Sequence, residues 1–150
     1  MSYNSSAVIN ITNNTGGNAI ITLSHRYSDD TPQVSAPVRV APNATAASIL
    51  TAGYNTGFLR TGQDYWWVGI QVLDGPNAGN YSSEGSADNP GKQCTLESAD
   101  NGKTLTFSVD INTFFMALIS GSCTTSVSKV SNALMESAKI SNKEVAEVEA

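Results

Sequence analysis

The chain offers little of the side-chain chemistry that enzymes use for acid–base or nucleophilic catalysis. Among its 150 residues there is one histidine, His25, and no Gly-x-Ser-x-Gly motif that would present a serine nucleophile. A serine hydrolase needs a serine, a base and an orienting acid in one place. A single histidine at the end of a strand is more often a hydrogen-bonded surface group. We therefore predict a non-enzymatic protein with no catalytic residues and with His25 at the surface.

Carboxylates in predicted loops are the only candidates for metal ligands. They are Asp29, Asp30, Asp74, Glu84 and Asp88. Loops rich in oxygen ligands bind calcium, but none of these has the D-x-[DN]-x-[DN]-G spacing of a calcium loop. Two cysteines and one histidine are too few for a structural zinc site. The sequence predicts solvated turn carboxylates, no metal site and no cofactor.

Aromatic residues form the strongest candidate for a binding site. The stretch YNTGFLRTGQDYWWVGIQVL, residues 54–73, holds both tryptophans and an arginine flanked by Thr-Gly pairs. The candidate binding residues are Tyr54, Arg60, Tyr65, Trp67 and Tyr81. Such a set could form a shelf for a sugar ring, a choline head group or a protein partner. The alternative is that these rings form a second packing layer beneath loops.

The same stretch contains the clearest strand. From residue 64 onward, alternation places Trp66, Val68, Ile70 and Val72 on one apolar face. The opposite face mixes aromatic residues with glycine and glutamine, so we expect it to be covered in part by a loop or a partner. Glycines before the strand indicate turns, which predicts that Tyr54, Phe58 and Arg60 lie near a loop at one end of a sheet.

Short strands separated by turns follow along the rest of the chain. The predicted strands are residues 7–12, 18–25, 38–40, 44–52, 65–73, 80–84, 93–97, 104–109 and 112–120. The turn sequences NNTGG at 13–17 and ADNG at 99–102 predict two hairpins. This pattern predicts an all-β fold, an antiparallel β-sandwich of immunoglobulin-like or similar type, over residues 1–125.

The spacing of apolar residues changes from residue 126 onward. Val127, Val130, Leu134 and Val145 recur at helical spacing, which predicts a C-terminal amphipathic α-helix over residues 126–150. A helix with so thin an apolar stripe frays unless the stripe packs against the domain or another subunit. These four residues are therefore candidate assembly contacts in a homo-oligomer.

The net charge and the N-terminal sequence indicate which partners and which compartment to expect. A net charge of −5 lacks the basic surface expected for nucleic-acid binding. The first residues lack a signal peptide, and no apolar run reaches the roughly 18 residues of a membrane span. A cytoplasmic protein is the default expectation, with an extracellular one still open.

Cys94 and Cys123 would form a disulfide if their strands were neighbours, but two buried free thiols are the favoured interpretation in a cytosolic protein.

Four runs of sequence resemble a known family. They are ITNNTGGNAIITLSHRYSDDTPQ, GYNTGFLRTGQDYWWVGIQVLDGPNAG, SSEGSADNPGKQCTLESADNGKTLTFSVD and ISGSCTTSVSKV. They are similar to a small family of nematode and fungal proteins named for up-regulation in long-lived insulin-receptor mutant worms. The resemblance covers about residues 7–130 and implies a compact β-domain with a stress-associated, non-catalytic role. It assigns no site residues.

These observations favour a non-enzymatic binding module, lectin-like or specific for lipid head groups, with a possible role in defence or stress. The alternative is a self-assembling structural protein with subunit contacts through the C-terminal helix or a sheet edge. Carbohydrate or lipid head groups are accordingly the expected partners.

Overall fold

The computed structural model describes residues 2–131 and the backbone of Ala146–Val148. Its described residues form an all-β chain with two sheets and one 3-10 turn, Ser98–Asp100. In chain order the strands are β1 Ser5–Asn13, β2 Ala19–Tyr27, β3 Gln33–Val34, β4 Val38–Val40, β5 Thr45–Tyr54, β6 Asp64–Val72, β7 Gly79–Ser82, β8 Lys92–Gln93, β9 Thr104–Val109, β10 Thr113–Met116, β11 Cys123–Ser126, β12 Ser128–Val130 and β13 Ala146–Val148. The first sheet has the order β11-β10-β9-β1-β5. The second has the order β12-β7-β6-β2-β4-β13, with β3 paired to β2 and β8 to β6.

One apolar core joins the two sheets. Ile9 and Phe107 of the first sheet and Ile21 and Trp66 of the second are fully buried in the same cluster. The rings of Trp66 and Phe107 meet edge to face across the core, 4.9 Å apart. The predicted inward face of β6 is confirmed, because Trp66, Val68, Ile70 and Val72 are all buried there. Alternation therefore predicted this strand correctly.

The predicted hairpin at 13–17 is wrong. β1 pairs with β5 and β9 in the first sheet, whereas β2 pairs with β6 in the second. The connecting turn is organised by the buried Asn13 side chain, which donates to Gly17 O and Val40 O and accepts from Thr15. Turn residues predict a reversal of the chain, but they do not tell whether the second strand pairs with the first or enters the opposite sheet.

The second predicted hairpin, at 99–102, is wrong for the same reason. The strand before it, β8, pairs with β6 in the second sheet, and the strand after it, β9, pairs with β1 in the first. The 3-10 turn between them is closed by the Asp100 side chain, which accepts from the Glu97 backbone N–H at 2.9 Å. Both turns therefore carry the chain from one sheet to the other.

Among the strands that the structure describes, two pairings depart from a purely antiparallel arrangement. β1 and β9 run parallel, and so do β4 and β13. The helix predicted from residue 126 is wrong where the structure describes the chain, because Ser128–Val130 pairs with β7 and Ala146–Val148 pairs with β4. Val127 is buried in the core, and Val130 lies in β12. Leu134 and Val145 lie outside the described residues.

Cys94 and Cys123 form a disulfide, with their Cα atoms 6.0 Å apart. The favoured interpretation of two free thiols is therefore wrong. The bond connects the segment after β8, in the second sheet, to β11 at the edge of the first sheet. Sequence could not establish this proximity, because the two cysteines are 29 residues apart, and one follows a strand of the second sheet while the other begins a strand of the first.

Candidate functional site

Two of the candidate aromatic residues lie on the outer face of β6. Trp67 is completely buried there, with Ala87 from the following loop packed against it. Its indole Nε1 donates to Ser82 Oγ at 2.8 Å. Tyr65 is partly buried, and the Arg26 guanidinium lies 4.8 Å from its ring centre in a cation–π contact. The outer face is thus covered by a loop, as the mixed composition of that face indicated.

Two further candidates point into the shared core. The Tyr54 hydroxyl donates to Glu97 O at 2.7 Å, and the Tyr81 hydroxyl donates to Asn77 O at 2.7 Å. Both rings are buried. Burial, followed by the charges of Asp100 and Asp64, raises the pKa of Tyr54 to about 12. Tyr54, Trp67 and Tyr81 therefore do not share an exposed surface, and their burial agrees with the packing-layer alternative.

Arg60 belongs to a different feature, the loop 55–63 between β5 and β6. At the tip of this loop, the side chains of Phe58 and Leu59 are 92% and 81% exposed. A turn forms the tip, with Arg60 N–H donating to Gly57 O at 3.1 Å. The Arg60 side chain is exposed and makes no hydrogen bond or ion pair with the residues that the structure describes. We call residues 57–60 the apolar tip.

The base of this loop is fixed by a polar clamp. Asn4 donates from its Nδ2 to Thr56 O at 2.8 Å and accepts at Oδ1 from Thr56 N–H at 3.0 Å. Its own backbone N–H donates to Asn55 Oδ1 at 3.0 Å. On the far side of the loop, Ser28 N–H donates to Gln63 O at 2.6 Å. Bonds on both sides thus anchor the loop, and the tip projects beyond them.

His25 is fully buried, so the prediction of a surface histidine is wrong. Its Nε2 lies 2.5 Å from Asp64 Oδ1, and its Nδ1 lies 2.8 Å from Gln33 Oε1. The ring rests against Trp66, with ring centres 4.5 Å apart. Position 25 is an inward position of β2, and the polar side chain is accepted in the core because partners satisfy both ring nitrogens.

The His25–Asp64 pair has no free nitrogen for acid–base chemistry. Gln33 Oε1 also accepts from Gly53 N–H at 3.0 Å, so it is the carbonyl oxygen and Nδ1 must donate to it. Nε2 is engaged by Asp64, whose second oxygen accepts from Leu96 N–H at 2.9 Å. A general base needs an open nitrogen beside a nucleophile. This pair instead holds β2, β3, β5 and β6 to the segment that follows β8.

Asp74, one of the acidic loop residues, serves local structure. Asp74 accepts from both the backbone N–H and the side-chain amide of Asn18, and these bonds hold the pKa of its carboxyl below the ordinary value. Within residues 2–131 no three His, Cys, Asp or Glu side chains are grouped to hold a metal ion. No helix in the described part of the chain is long and apolar enough to cross a bilayer.

The geometry defines a class of protein: an all-β domain of two sheets around one core, with an anchored loop that exposes apolar side chains. Residues 3–132 match the family described as "Up-Regulated in long-lived daf-2", and the chain belongs to this family. The resemblance inferred from the four sequence runs is thereby confirmed. None of the curated proteins matches the chain.

The sequence pattern placed Tyr54, Phe58 and Arg60 near a loop, and Tyr54 is the last residue of β5 where that loop begins, but the pattern did not single out the apolar tip. The available signal was a pair of large apolar residues, Phe58 and Leu59, inside a segment bounded by Gly57 and Gly62. A segment so rich in turn residues cannot continue a strand, so its apolar side chains have no sheet face on which to pack.

Proposed function

We propose that the protein is a non-enzymatic binding module of sandwich type that docks on a lipid surface through its apolar tip. The exposure of Phe58 and Leu59, at 92% and 81%, is the observation that carries this proposal. Two adjacent side chains of this size, mostly in contact with water, are unusual in a folded domain, because neither gains the free energy that burial would provide.

The shape of the tip favours binding to a lipid surface over binding to a pocket of a protein partner. Phe58 and Leu59 lie in a turn whose bonds to the rest of the described chain are at its base. Both side chains can therefore insert into the acyl region of a bilayer without a rearrangement of the domain. Arg60 adds a guanidinium beside them that has no partner among the described residues, which suits a lipid phosphate at the level of the head groups. Aromatic and arginine side chains are well suited to this interfacial zone.

The energy of such docking is modest. Transfer of one Phe and one Leu side chain out of water yields roughly 4 kcal/mol in total. By itself this corresponds to a dissociation constant of about 1 mM. The net charge of −5 gives no general attraction to an anionic bilayer. The tip therefore supports reversible contact with a zwitterionic surface, and stable docking needs a second contact.

The backbone conformation of the apolar tip supports a role for Leu59 in binding, because this residue does not help the domain to fold. Leu59 has φ 65°, in the left-handed region that disfavours a residue with a branched side chain. That conformation costs about 1 kcal/mol. Since Leu59 is exposed, no burial within the domain offsets this cost, and a Gly or Asn would fold more easily. Strain at an exposed apolar residue supports selection for binding.

Other features support the remaining parts of the proposal. The absence of an open nitrogen on His25 favours a non-catalytic role. The shared core between the sheets favours a sandwich, although the parallel β1–β9 pair departs from an immunoglobulin-like pattern. The Cys94–Cys123 disulfide favours an oxidising, extracellular compartment over the cytoplasm. A stress-associated role is kept as part of this proposal.

Vesicle flotation tests the proposal. We expect a fraction of the full chain to float with phosphatidylcholine vesicles at a lipid concentration of about 1 mM or more, and the Phe58→Ser/Leu59→Ser variant to remain in solution. Phe115→Ser is the matched control, because Phe115 is 37% exposed but lies on β10, away from the tip. Equal flotation of the tip variant and the wild type would refute lipid docking by this loop. Binding to glycans without any flotation would favour a purely lectin-like function.

Self-assembly through a sheet edge is the second candidate. β5 ends the first sheet, is ten residues long and carries no charged residue along TAASILTAGY. Open edges of this kind pair with other chains unless charge or proline blocks them. Light scattering coupled to size-exclusion chromatography tests this. If the edge assembles, the wild type is an oligomer and Ala47→Lys, at an exposed β5 position, is a monomer. A wild-type monomer would exclude it.

A further inference from the structure

A shallow pocket opens beside the base of the loop that carries the apolar tip. Its volume is about 360 Å³, within the roughly 300–1,000 Å³ range of ligand-binding clefts. The start of β1 and the end of β5 form it, together with Gln33 and Asn101. Asn4 lines the pocket and also holds Thr56 in the loop base. Phe58 follows two residues later, and two residues of chain span at most about 7 Å.

The pocket presents an aromatic ring and several polar groups that have no partner within the described part of the chain. Among the described residues, no acceptor is bound by Gln33 Nε2 or Asn101 Nδ2, although each amide oxygen is engaged. The hydroxyls of Ser6 and Thr51 are likewise exposed without a partner. Tyr3 forms one wall, and its ring lies so close to Gly53 of β5 that a side chain at position 53 would collide with it.

The Asp30 carboxylate and the amide donors of the pocket disfavour ionic ligands. None of its lining residues is charged. The Tyr3 hydroxyl donates to Asp30 Oδ2 at 3.1 Å, so a carboxylate lies just behind the pocket and repels an anion. A cation would have to face the amide N–H groups of Gln33 and Asn101, which donate and do not accept. The remaining class of ligand is neutral and rich in hydroxyl oxygens.

We propose that this pocket binds the neutral hexose head group of a glycolipid. The inference rests on the proposed function, since the tip would enter the lipid phase while the sugar occupies the pocket. Hydroxyl oxygens of the hexose accept from Gln33, Asn101, Ser6 and Thr51, and an apolar C–H face of the ring packs against Tyr3. The sugar supplies the second contact that the tip requires.

The buried His25–Asp64 pair positions the pocket. Asp64 bonds His25 Nε2, and His25 Nδ1 donates to Gln33 Oε1. Because the Gln33 carbonyl oxygen is fixed from behind by His25 and by Gly53 N–H, its Nε2 is the group presented to the pocket. His25 is therefore a positioning residue for Gln33, and it does not touch the ligand.

Soluble sugar binding tests the pocket without a membrane. Methyl galactoside and methyl glucoside are titrated into the full chain and followed by amide chemical shifts. We expect shifts at Gln33 and Asn101, and an affinity about tenfold weaker in Thr51→Val, which removes one hydrogen bond from an exposed strand position. Gln33→Glu keeps the acceptor for His25 but loses the donor, and should also weaken binding. Lys129→Gln, on β12, should bind like the wild type. The absence of shifts with either sugar would overturn the pocket assignment.

Vesicles separate this inference from the proposed function. We expect flotation to increase at least about tenfold when phosphatidylcholine vesicles contain galactosyl or glucosyl diacylglycerol, and Thr51→Val to lose only that increase. Equal flotation on vesicles with and without the glycolipid would overturn this inference, and the proposal that the apolar tip docks on lipid would still hold. Failure of the wild type to float on either vesicle, with sugar binding retained, would overturn the proposed function and the glycolipid assignment together.

Discussion

Gln33 Oε1 lies 2.8 Å from His25 Nδ1, and this contact joins a buried polar pair to the surface of the protein. The Gln33 carbonyl also accepts from Gly53 N–H on β5, which leaves its amide N–H groups as the outward donors. A histidine that could be mistaken for a catalytic base is therefore engaged on both nitrogens. Its role in this structure is to hold β2, β3 and β5 together and to orient one side chain.

The His25–Asp64 pair should contribute strongly to stability. His25→Ala would leave a fully buried Asp64 oxygen without its partner, so we expect the free energy of unfolding to fall by about 3–5 kcal/mol. Asp64→Asn should cost less, because an amide can still donate to His25 Nε2 and accept from Leu96 N–H. Urea denaturation measures both. A loss below about 1 kcal/mol for His25→Ala, comparable to the exposed control Lys129→Ala, would contradict this account.

The disulfide should be a second large contribution. Cys94 and Cys123 close a loop of 29 residues, for which the chain-entropy treatment gives about 3–4 kcal/mol. We expect a reducing agent to lower the free energy of unfolding by this amount. The Cys94→Ala/Cys123→Ala variant serves as the control, since its stability should not respond to the reducing agent. An equal response in the variant, or none in the wild type, would argue against the bond.

Stability should decrease at alkaline pH through Tyr54. Burial and nearby carboxylates raise its pKa from 10.0 to about 12 in the folded chain, while the unfolded chain keeps the ordinary value. Between about pH 10 and pH 12 the unfolded state therefore binds fewer protons, and the free energy of unfolding falls as pH rises.

Tyr54→Phe should make this slope shallower, and some slope should remain because the pKa of Tyr3 is also raised to about 12. Denaturation at a series of alkaline pH values measures the effect. Identical slopes for the variant and the wild type would contradict the burial of the Tyr54 hydroxyl.

Leu59→Asn should separate folding from binding. Asparagine tolerates the left-handed conformation at this position, so we expect the free energy of unfolding to rise by about 1 kcal/mol. The same change removes an apolar side chain from the tip and should weaken vesicle flotation. Ile119→Asn is the control, because Ile119 is also exposed but lacks a positive φ. A Leu59→Asn variant that is less stable than the wild type would contradict the argument from strain.

Periodicity predicted those parts of the fold that depend on local burial. The inward residues of β6 followed from alternation, because one face of that strand is packed entirely against the other sheet. The β1–β2 pairing did not follow, since NNTGG specifies a reversal and the destination of β2 depends on tertiary packing. The predicted helix failed at Ser128–Val130 because pairing with β7 overrides a weak apolar spacing.

The candidate site was harder to predict than the fold. Aromatic residues such as Trp67 look like binding residues in a sequence, but their size makes burial the commoner outcome. His25 was assigned to the surface because the sequence does not reveal that Asp64 and Gln33, 39 and 8 residues away, lie within hydrogen-bonding distance. The exposure of Phe58 and Leu59 depends on the absence of any covering segment, which only the tertiary arrangement of the described residues reveals.

The most direct test of membrane docking is the fluorescence of a Phe58→Trp variant. Trp66 and Trp67 are fully buried, so their emission should not respond to lipid, whereas a tryptophan at position 58 starts in water. On addition of phosphatidylcholine vesicles containing galactosyl diacylglycerol, the account predicts a blue shift and quenching by bromine-labelled acyl chains. Vesicle binding without a shift or quenching at position 58 would contradict it, since the protein would then bind by another surface.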